Sequence, residues 1–351
     1  MKIVIVSDAW HPQINGVVTT LTEVSAWLTE QGHEVSSINP GLFKTFSCPG
    51  YSSIKLAPFS YNKIKKLLLD TQPDAIHIAT EGPLGLAARK FCVKCNIPFS
   101  TSYHTQFPEY INMRIGLPTA ITYRLLRWFH SGAECTLVTT KSIEALLKNK
   151  GFNNLKVWSR GVDSSLFYPR DQVIFKSEKP IAMYMGRVAV EKKIEDFLTL
   201  DLPIDKYVVG DGPDRARLEK QYPDATFVGF KQGNELVEYL SSADVFVFPS
   251  TTDTFGIVLI EAMACGVPVA AYPVQGPVDI LEQDVTGIMD DDLEYAVTQA
   301  LKLNPEDCIQ AAKQFRWEHC AKQFQDWLVP IPESMYQTPH QTENHKIARD
   351  G

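Results

Sequence analysis

Val245-Phe246-Val247-Phe248-Pro249-Ser250-Thr251-Thr252-Asp253-Thr254-Phe255-Gly256-Ile257-Val258-Leu259-Ile260-Glu261-Ala262-Met263-Ala264-Cys265-Gly266-Val267-Pro268-Val269 reads as a strand, a polar turn, a helix and the start of a second strand. Four consecutive β-branched and aromatic residues describe a strand buried on both faces. The polar stretch after Pro249 is a loop, and the apolar helix beyond Gly256 stops at Gly266. A helix start carries unpaired backbone N–H groups and a partial positive charge, which favours an anionic phosphate. Asp253 and Glu261 flank that start, and carboxylates there suit the hydroxyls of a sugar.

Outward from this run the same alternation continues. In the second half, strands are expected at Ile181–Met185, Lys206–Val209, Thr226–Val228 and Pro268–Ala271, with helices between them. In the first half, Ile3–Ser7 opens a strand, and a helix over about Val18–Gln31 places Leu21, Val24 and Leu28 on one face. Further strands are expected at Ala75–Ile78, Pro98–Tyr103 and Cys135–Thr139. Such alternation predicts an α/β protein with two Rossmann-like, doubly wound parallel sheets facing a deep cleft. Turn and charged residues near Tyr168–Ser177 mark the join. The expected organisation is a first domain over 1–168, a second over 169–306, a helical segment over 307–330 that returns to the first domain, and a flexible tail over 331–351.

A chain of 351 residues accommodates two domains. No apolar run approaches the roughly 20 residues of a membrane span, and Lys2–Val6 is too short for a signal peptide. Seven scattered cysteines suit a reducing cytoplasm, and Cys92-Val93-Lys94-Cys95, lacking a second pair, reads as core thiols. The net charge of −7 is unevenly spread, with +6 over residues 1–165 and −13 over the remainder. No basic stripe with interleaved aromatics appears, which excludes nucleic acid as an expected partner. A membrane surface facing the basic half stays open.

The residues fit for chemistry follow strand ends. Arg187 and Lys192, in Gly186-Arg187-Val188-Ala189-Val190-Glu191-Lys192-Lys193, can neutralise a diphosphate or simply form a solvated charged loop. Lys192 is expected to start a helix. Gly210-Asp211-Gly212-Pro213 is a glycine-rich turn, and Phe227-Val228-Gly229-Phe230 a strand terminus. Asn15-Gly16-Val17 reads as a turn before a helix in which Gly16 permits close approach of a ligand. His104, in Ser102-Tyr103-His104-Thr105, and Glu81, in Glu81-Gly82-Pro83, also follow strands. The Gly-x-Gly-x-x-Gly dinucleotide fingerprint is absent, against a nicotinamide dehydrogenase. Asp290-Asp291-Asp292 reads as a solvated acidic run, not a metal site.

In combination these segments resemble the retaining glycosyltransferases of the GT-B fold, family 4, over about residues 1–328. Glu81-Gly82-Pro83 resembles the sulfolipid- and mannosyltransferase-like branch. The resemblance implies that Arg187 and Lys192 hold the diphosphate of a nucleotide-sugar donor and that Asn15, Gly16 and Val17 close over its sugar-phosphate. Gly210, Gly212 and Gly229 then lie beside the nucleotide, His104 and Asp253 orient the hexose, and Phe255, Gly256, Ile257 and Val258 form the phosphate-facing helix start. Glu261 holds the ribose hydroxyls. Arg160-Gly161-Val162-Asp163, with Phe167 and Pro169, resembles a turn read as structural. Where the family usually carries Glu, this chain carries Asp253, one methylene shorter.

The expected reaction moves a hexose from a UDP- or GDP-sugar to a membrane lipid acceptor of the diacylglycerol type. It forms an α-glycosidic bond and needs no metal or other cofactor. The expected location is cytoplasmic, on the inner face of a membrane. The alternatives are a soluble or polysaccharide acceptor, or a non-enzymatic nucleotide-sugar-binding protein. A basic, aromatic-bearing helix within Ile115–Ser131, carrying Leu117, Ile121, Leu125, Leu126, Trp128 and Phe129 beside Arg124 and Arg127, reads either as an ordinary core helix or as an anionic-membrane-binding surface.

Overall fold

A computed structural model describes residues 1–48, 51–171, 174–175 and 177–336. Parts of the join near 168–177, and residues 337–351 of the expected tail, lie outside the described residues. The first half contains β1 (Lys2–Val6), β2 (Glu34–Ile38), β3 (Phe46–Cys48), β4 (Tyr51–Leu56), β5 (Ala75–Ile78), β6 (Ser100–Tyr103), β7 (Cys135–Val138) and β8 (Leu155–Val157). β3 and β4 pair separately as an antiparallel ribbon, and the others form a parallel sheet in the order β2-β1-β5-β6-β7-β8. The second half contains β9 (Ile181–Met185), β10 (Asp205–Val209), β11 (Ala225–Gly229), β12 (Val245–Phe248), β13 (Val269–Ala271) and β14 (Gly287–Met289), in the parallel order β11-β10-β9-β12-β13-β14.

Apolar strands explain the burial. Every residue of β12 and of β9 is buried, as expected of central strands covered by helices on both faces. Each sheet reverses its winding once, between β1 and β5 in the first and between β9 and β12 in the second. Loops diverge at such a point and leave a crevice beyond the carboxyl ends of the strands. Arg187 follows β9 and Asp253 follows β12, so both emerge at the second crevice.

The helical segment at the end of the chain is two helices, not one. Pro305–Ala312 packs on the second domain, and Trp317–Asp326 lies against the helix Gly16–Glu30 of the first. Here the Phe315 carbonyl accepts a bond from Val162 N (3.0 Å). A Cβ on Gly161 would come within 2.5 Å of Trp317 N. The helix therefore breaks where the chain squeezes past the interdomain turn, a tertiary contact without a local signature. The expected free tail is also corrected at its start. Ile331 is buried and donates its N–H to Asp74 O (2.8 Å), while Tyr336 Oη donates to Pro73 O (3.0 Å).

Candidate active site

On the second domain, three turns knit the floor of the crevice. Gly186 N donates to Val209 O (2.9 Å), and Gly210 N to Gly229 O (2.8 Å). Gly210 has φ +146°, and a Cβ there would sit 1.8 Å from Gly186 O. Only glycine allows these two turns to touch backbone to backbone. Val188 N completes the set by donating to Asp211 O (2.9 Å), beside Gly212. Half-buried Arg187 leaves this floor. Lys192 ends the short 3₁₀ turn Val190–Lys192, and the helix begins at Ile194, which corrects the expected position of Lys192 at a helix start.

Lys192 Nζ donates to Asp253 Oδ1 (2.6 Å). Burial disfavours its charge, but Asp253 and the nearby Tyr110 and Tyr184 hydroxyls outweigh that cost and raise its pKa. The residues expected to meet the phosphate and to orient the sugar are thus one ion pair. Asp253 Oδ2 is buried and has no hydrogen-bond partner among the described residues. Beyond Asp253, Gly256 caps the helix Ile257–Ala264 in a left-handed conformation (φ +87°). On that helix the half-buried Glu261 carboxyl is pushed up to about 7 by burial.

The first domain closes on these groups. Asn15 caps the helix Gly16–Glu30, its side-chain oxygen accepting from Val17 N and Val18 N at 3.0 Å each. Asn15 is accordingly committed to shaping the loop. A Cβ on Gly16 would lie 3.2 Å from Ile257 Cδ1, so the two helix starts meet across the cleft. Thr254 Oγ1 donates to His104 O (2.6 Å), and Gln106 Nε2 to Asp253 O (3.3 Å). Arg114 pairs with the buried Glu191 (2.9 Å), one residue before Lys192. Thr139 Oγ1 donates to Thr254 O (2.5 Å).

His104 Nδ1 lies 3.0 Å from Arg160 Nη2, whereas Nε2 is buried without a hydrogen-bond partner among the described residues. Burial, then the Arg160 charge, hold the His104 pKa well below its usual value. Glu81 is engaged elsewhere: its Oε1 lies 3.2 Å from His130 Nε2, in the wall behind β6. Asp292 caps the helix Leu293–Ala300 and Asp290 accepts from Asp292 N, so two of those three acids shape the helix start.

The structure brings His104, Lys192 and Asp253 together, with Gly16 against the Ile257 helix start. The sequence reading passed over Gln106, Tyr110, Arg114, Thr254 and Arg160. Gln106 and Tyr110 follow His104 closely and are marked only by that proximity. Arg160 stood in a turn assigned a structural role, and nothing local ties it to His104, 56 positions earlier.

Two family models match the chain in succession. Residues 14–166 match glycosyltransferase family 4, and residues 169–315 match glycosyl transferases group 1. The sulfoquinovosyl transferase SQD2 of Arabidopsis thaliana is 33% identical over 70% of this chain and 51% of its own length. A GDP-mannose-dependent α-mannosyltransferase of Mycobacterium tuberculosis is 30% identical over 82% of this chain and 83% of its own. Among solved structures, a sucrose-phosphate synthase of Thermosynechococcus elongatus superposes with a TM-score of 0.77 at 21% identity, covering 93% of this chain and 97% of that one. Two matched family models, a mannosyltransferase aligned over most of both chains and two sheets opposed across one cleft all agree: the chain belongs to the family 4 glycosyltransferases and has the GT-B fold.

Proposed function

We propose that the protein is a retaining hexosyltransferase that uses a nucleotide-sugar donor and a membrane lipid acceptor of the diacylglycerol type, forming an α-glycosidic bond. The observation that carries the donor reading is a pair of buried, unpartnered polar atoms, His104 Nε2 and Asp253 Oδ2, on loops joined by the Thr254–His104 bond. Unpaired buried polar atoms are costly, and hydroxyls of a bound hexose satisfy a donor and an acceptor together. The negative charge that develops on a leaving diphosphate is met by Arg187, Lys192 and the N–H groups at the Ile257 helix start, preorganised before the reaction. This arrangement supports a reaction without metal, in which the leaving phosphate takes the acceptor proton on the face it departs from. Domain closure then excludes water.

The lipid acceptor rests on the hairpin of helices Phe107–Ile115 and Thr119–His130. Ile115, Ile121, Leu125 and Trp128 are each at least half exposed, beside exposed Arg124 and Arg127. Leu126 and Phe129, grouped with them by sequence, are core residues on the opposite face. Exposed apolar and basic side chains on one helix face match the interface of an anionic bilayer. Relatives support the class: alpha-monoglucosyldiacylglycerol synthase of Acholeplasma laidlawii is 26% identical over 77% of this chain. Among the described residues no helix is long and apolar enough to cross a membrane, and the contact proposed here is one of surface side chains with a bilayer.

Incubation with UDP- and GDP-sugars and vesicles with or without anionic lipid tests the proposal. We expect an α-linked glycolipid, formed faster on anionic vesicles and slowed by salt. Transfer only to soluble glycans would move the acceptor to the polysaccharide class, and a β linkage would contradict retention.

A further inference from the structure

Among the described residues Arg160 is a buried cation with no carboxylate against it. It is 3% exposed. Its Nη1 donates to Trp158 O (2.8 Å) and Ser159 O (2.7 Å), and its guanidinium stacks 4.3 Å from the Trp158 ring centroid. The remaining contact is Nη2 to His104 Nδ1 (3.0 Å). A buried charge is retained at a cost, and here its side-chain target is one imidazole nitrogen.

A guanidinium has only donors. The Nδ1 atom it addresses must therefore offer a lone pair, which puts the ring hydrogen of neutral His104 on Nε2. We propose that Arg160 is a positioning residue that fixes His104 as the neutral Nε2–H tautomer, aiming a permanent hydrogen-bond donor at the transferred sugar. The sugar-facing role rests on the donor reading above; the tautomer does not.

Several groups surround the ring. Trp158 contacts it edge-on at 5.7 Å. His77, between Ser100 and Ser102 hydroxyls, and His130, between Glu81 and Thr101, are titratable groups that act on it. Adding a proton at His104 Nδ1 would oppose N–H to N–H and place a second cation beside Arg160. Burial and Arg160 both hold the His104 pKa down, while Arg160, lowered by burial to about 10, stays charged at neutral pH. His104 therefore keeps its neutral Nε2–H form near pH 6.5, where an ordinary histidine changes state.

The test is ¹⁵N-histidine NMR of the unliganded protein, with His104 assigned by its absence in His104→Gln. We expect a single Nε2–H tautomer, unchanged between about pH 5.5 and 8.5, a window spanning the ordinary histidine pKa. An Nδ1–H tautomer, or titration near pH 6.5 in the wild type, overturns the proposal without any variant being needed. In Arg160→Met, His104 should show mixed tautomers, with Arg160→Lys restoring part of the wild-type state. In transfer assays Arg160→Met should lower kcat about tenfold or more with a smaller change in KM, as loss of an aimed donor does. Unchanged tautomer and kcat in folded Arg160→Met would also refute it. The NMR result stands apart from the transfer reaction, so failure to find a sugar acceptor and failure of the tautomer assignment are separate outcomes.

Discussion

Asp253 divides its two oxygens between two tasks. Oδ1 holds Lys192 at 2.6 Å, and Oδ2 is buried and unpartnered. On the function proposed above, a diphosphate entering the crevice competes with Oδ1 for the lysine, whereas a hexose gains from Oδ2. Asp253→Asn should then bind bare nucleoside diphosphate at least as tightly as wild type and transfer sugar far more slowly. Calorimetry showing markedly weaker nucleotide binding would contradict the division. Glu261 gives a pH signature. Its carboxyl is raised to about 7 by burial, and ribose hydroxyls donating to it favour the ionised form and lower that pKa in the complex. Binding then releases a proton, so affinity for nucleoside diphosphate rises with pH up to about 7 and levels above it. The rise is about tenfold for each pKa unit regained. Glu261→Gln should lose this component of the slope while keeping whatever the phosphate's own titration contributes; identical slopes would remove Glu261 from the ribose site. Sequence showed these acids because they flank one loop-to-helix junction. It did not show the Lys192–Asp253 pair, because the residues lie on different loops and meet only at the reversal between β9 and β12.

Among the elements, legibility followed periodicity. β5, β9 and β12 were bounded from sequence as the structure has them, because each is a short, fully buried run that is apolar but for His77 in β5. Their neighbours differ by a residue or two, where strand ends fray into loops that sequence marks weakly. Two elements depended on distant contacts. The 3₁₀ turn Val190–Lys192 is tied by Thr252 Oγ1 donating to Glu191 O (3.2 Å) and by Arg114 on the Glu191 carboxylate. Neither partner is near in sequence, so the charged run Glu191-Lys192-Lys193 looked like the first turn of a helix. The break between Ala312 and Trp317 lies against Gly161 and Val162, where Val162 N donates to the Phe315 carbonyl and Gly161 closely approaches Trp317 N. The helix Thr119–His130 shows the complementary case. Its amphipathic pattern was plain, but two apolar sets share it, and only packing assigns Leu126 and Phe129 to the core and Leu125 and Trp128 to the surface.

In the whole molecule, the return of Trp317–Asp326 to the first domain makes the two halves mechanically dependent. Trp158, fully buried, donates Nε1–H to Cys320 O (2.9 Å), and Phe324, also fully buried, packs on the Trp158 ring at 5.0 Å. His77 completes the cluster, its ring 4.8 Å from that of Phe324. This helix therefore supplies part of the first domain's core from beyond the end of the second domain. It also lies behind the Arg160–His104 contact, because Trp158 stacks on the guanidinium. Phe324→Ala should cost about 3–5 kcal/mol, the range for deleting a buried aromatic side chain that leaves a cavity. The loss should appear as a lower urea midpoint with the same steepness, provided the halves unfold together. A second transition at lower urea would show that the first domain loosens alone. Turnover should fall as well, because a displaced Trp158 lets Arg160 and His104 shift relative to Asp253. An unfolding free energy within about 1 kcal/mol of wild type, with turnover intact, would mean that the helix rests on the first domain without completing its core.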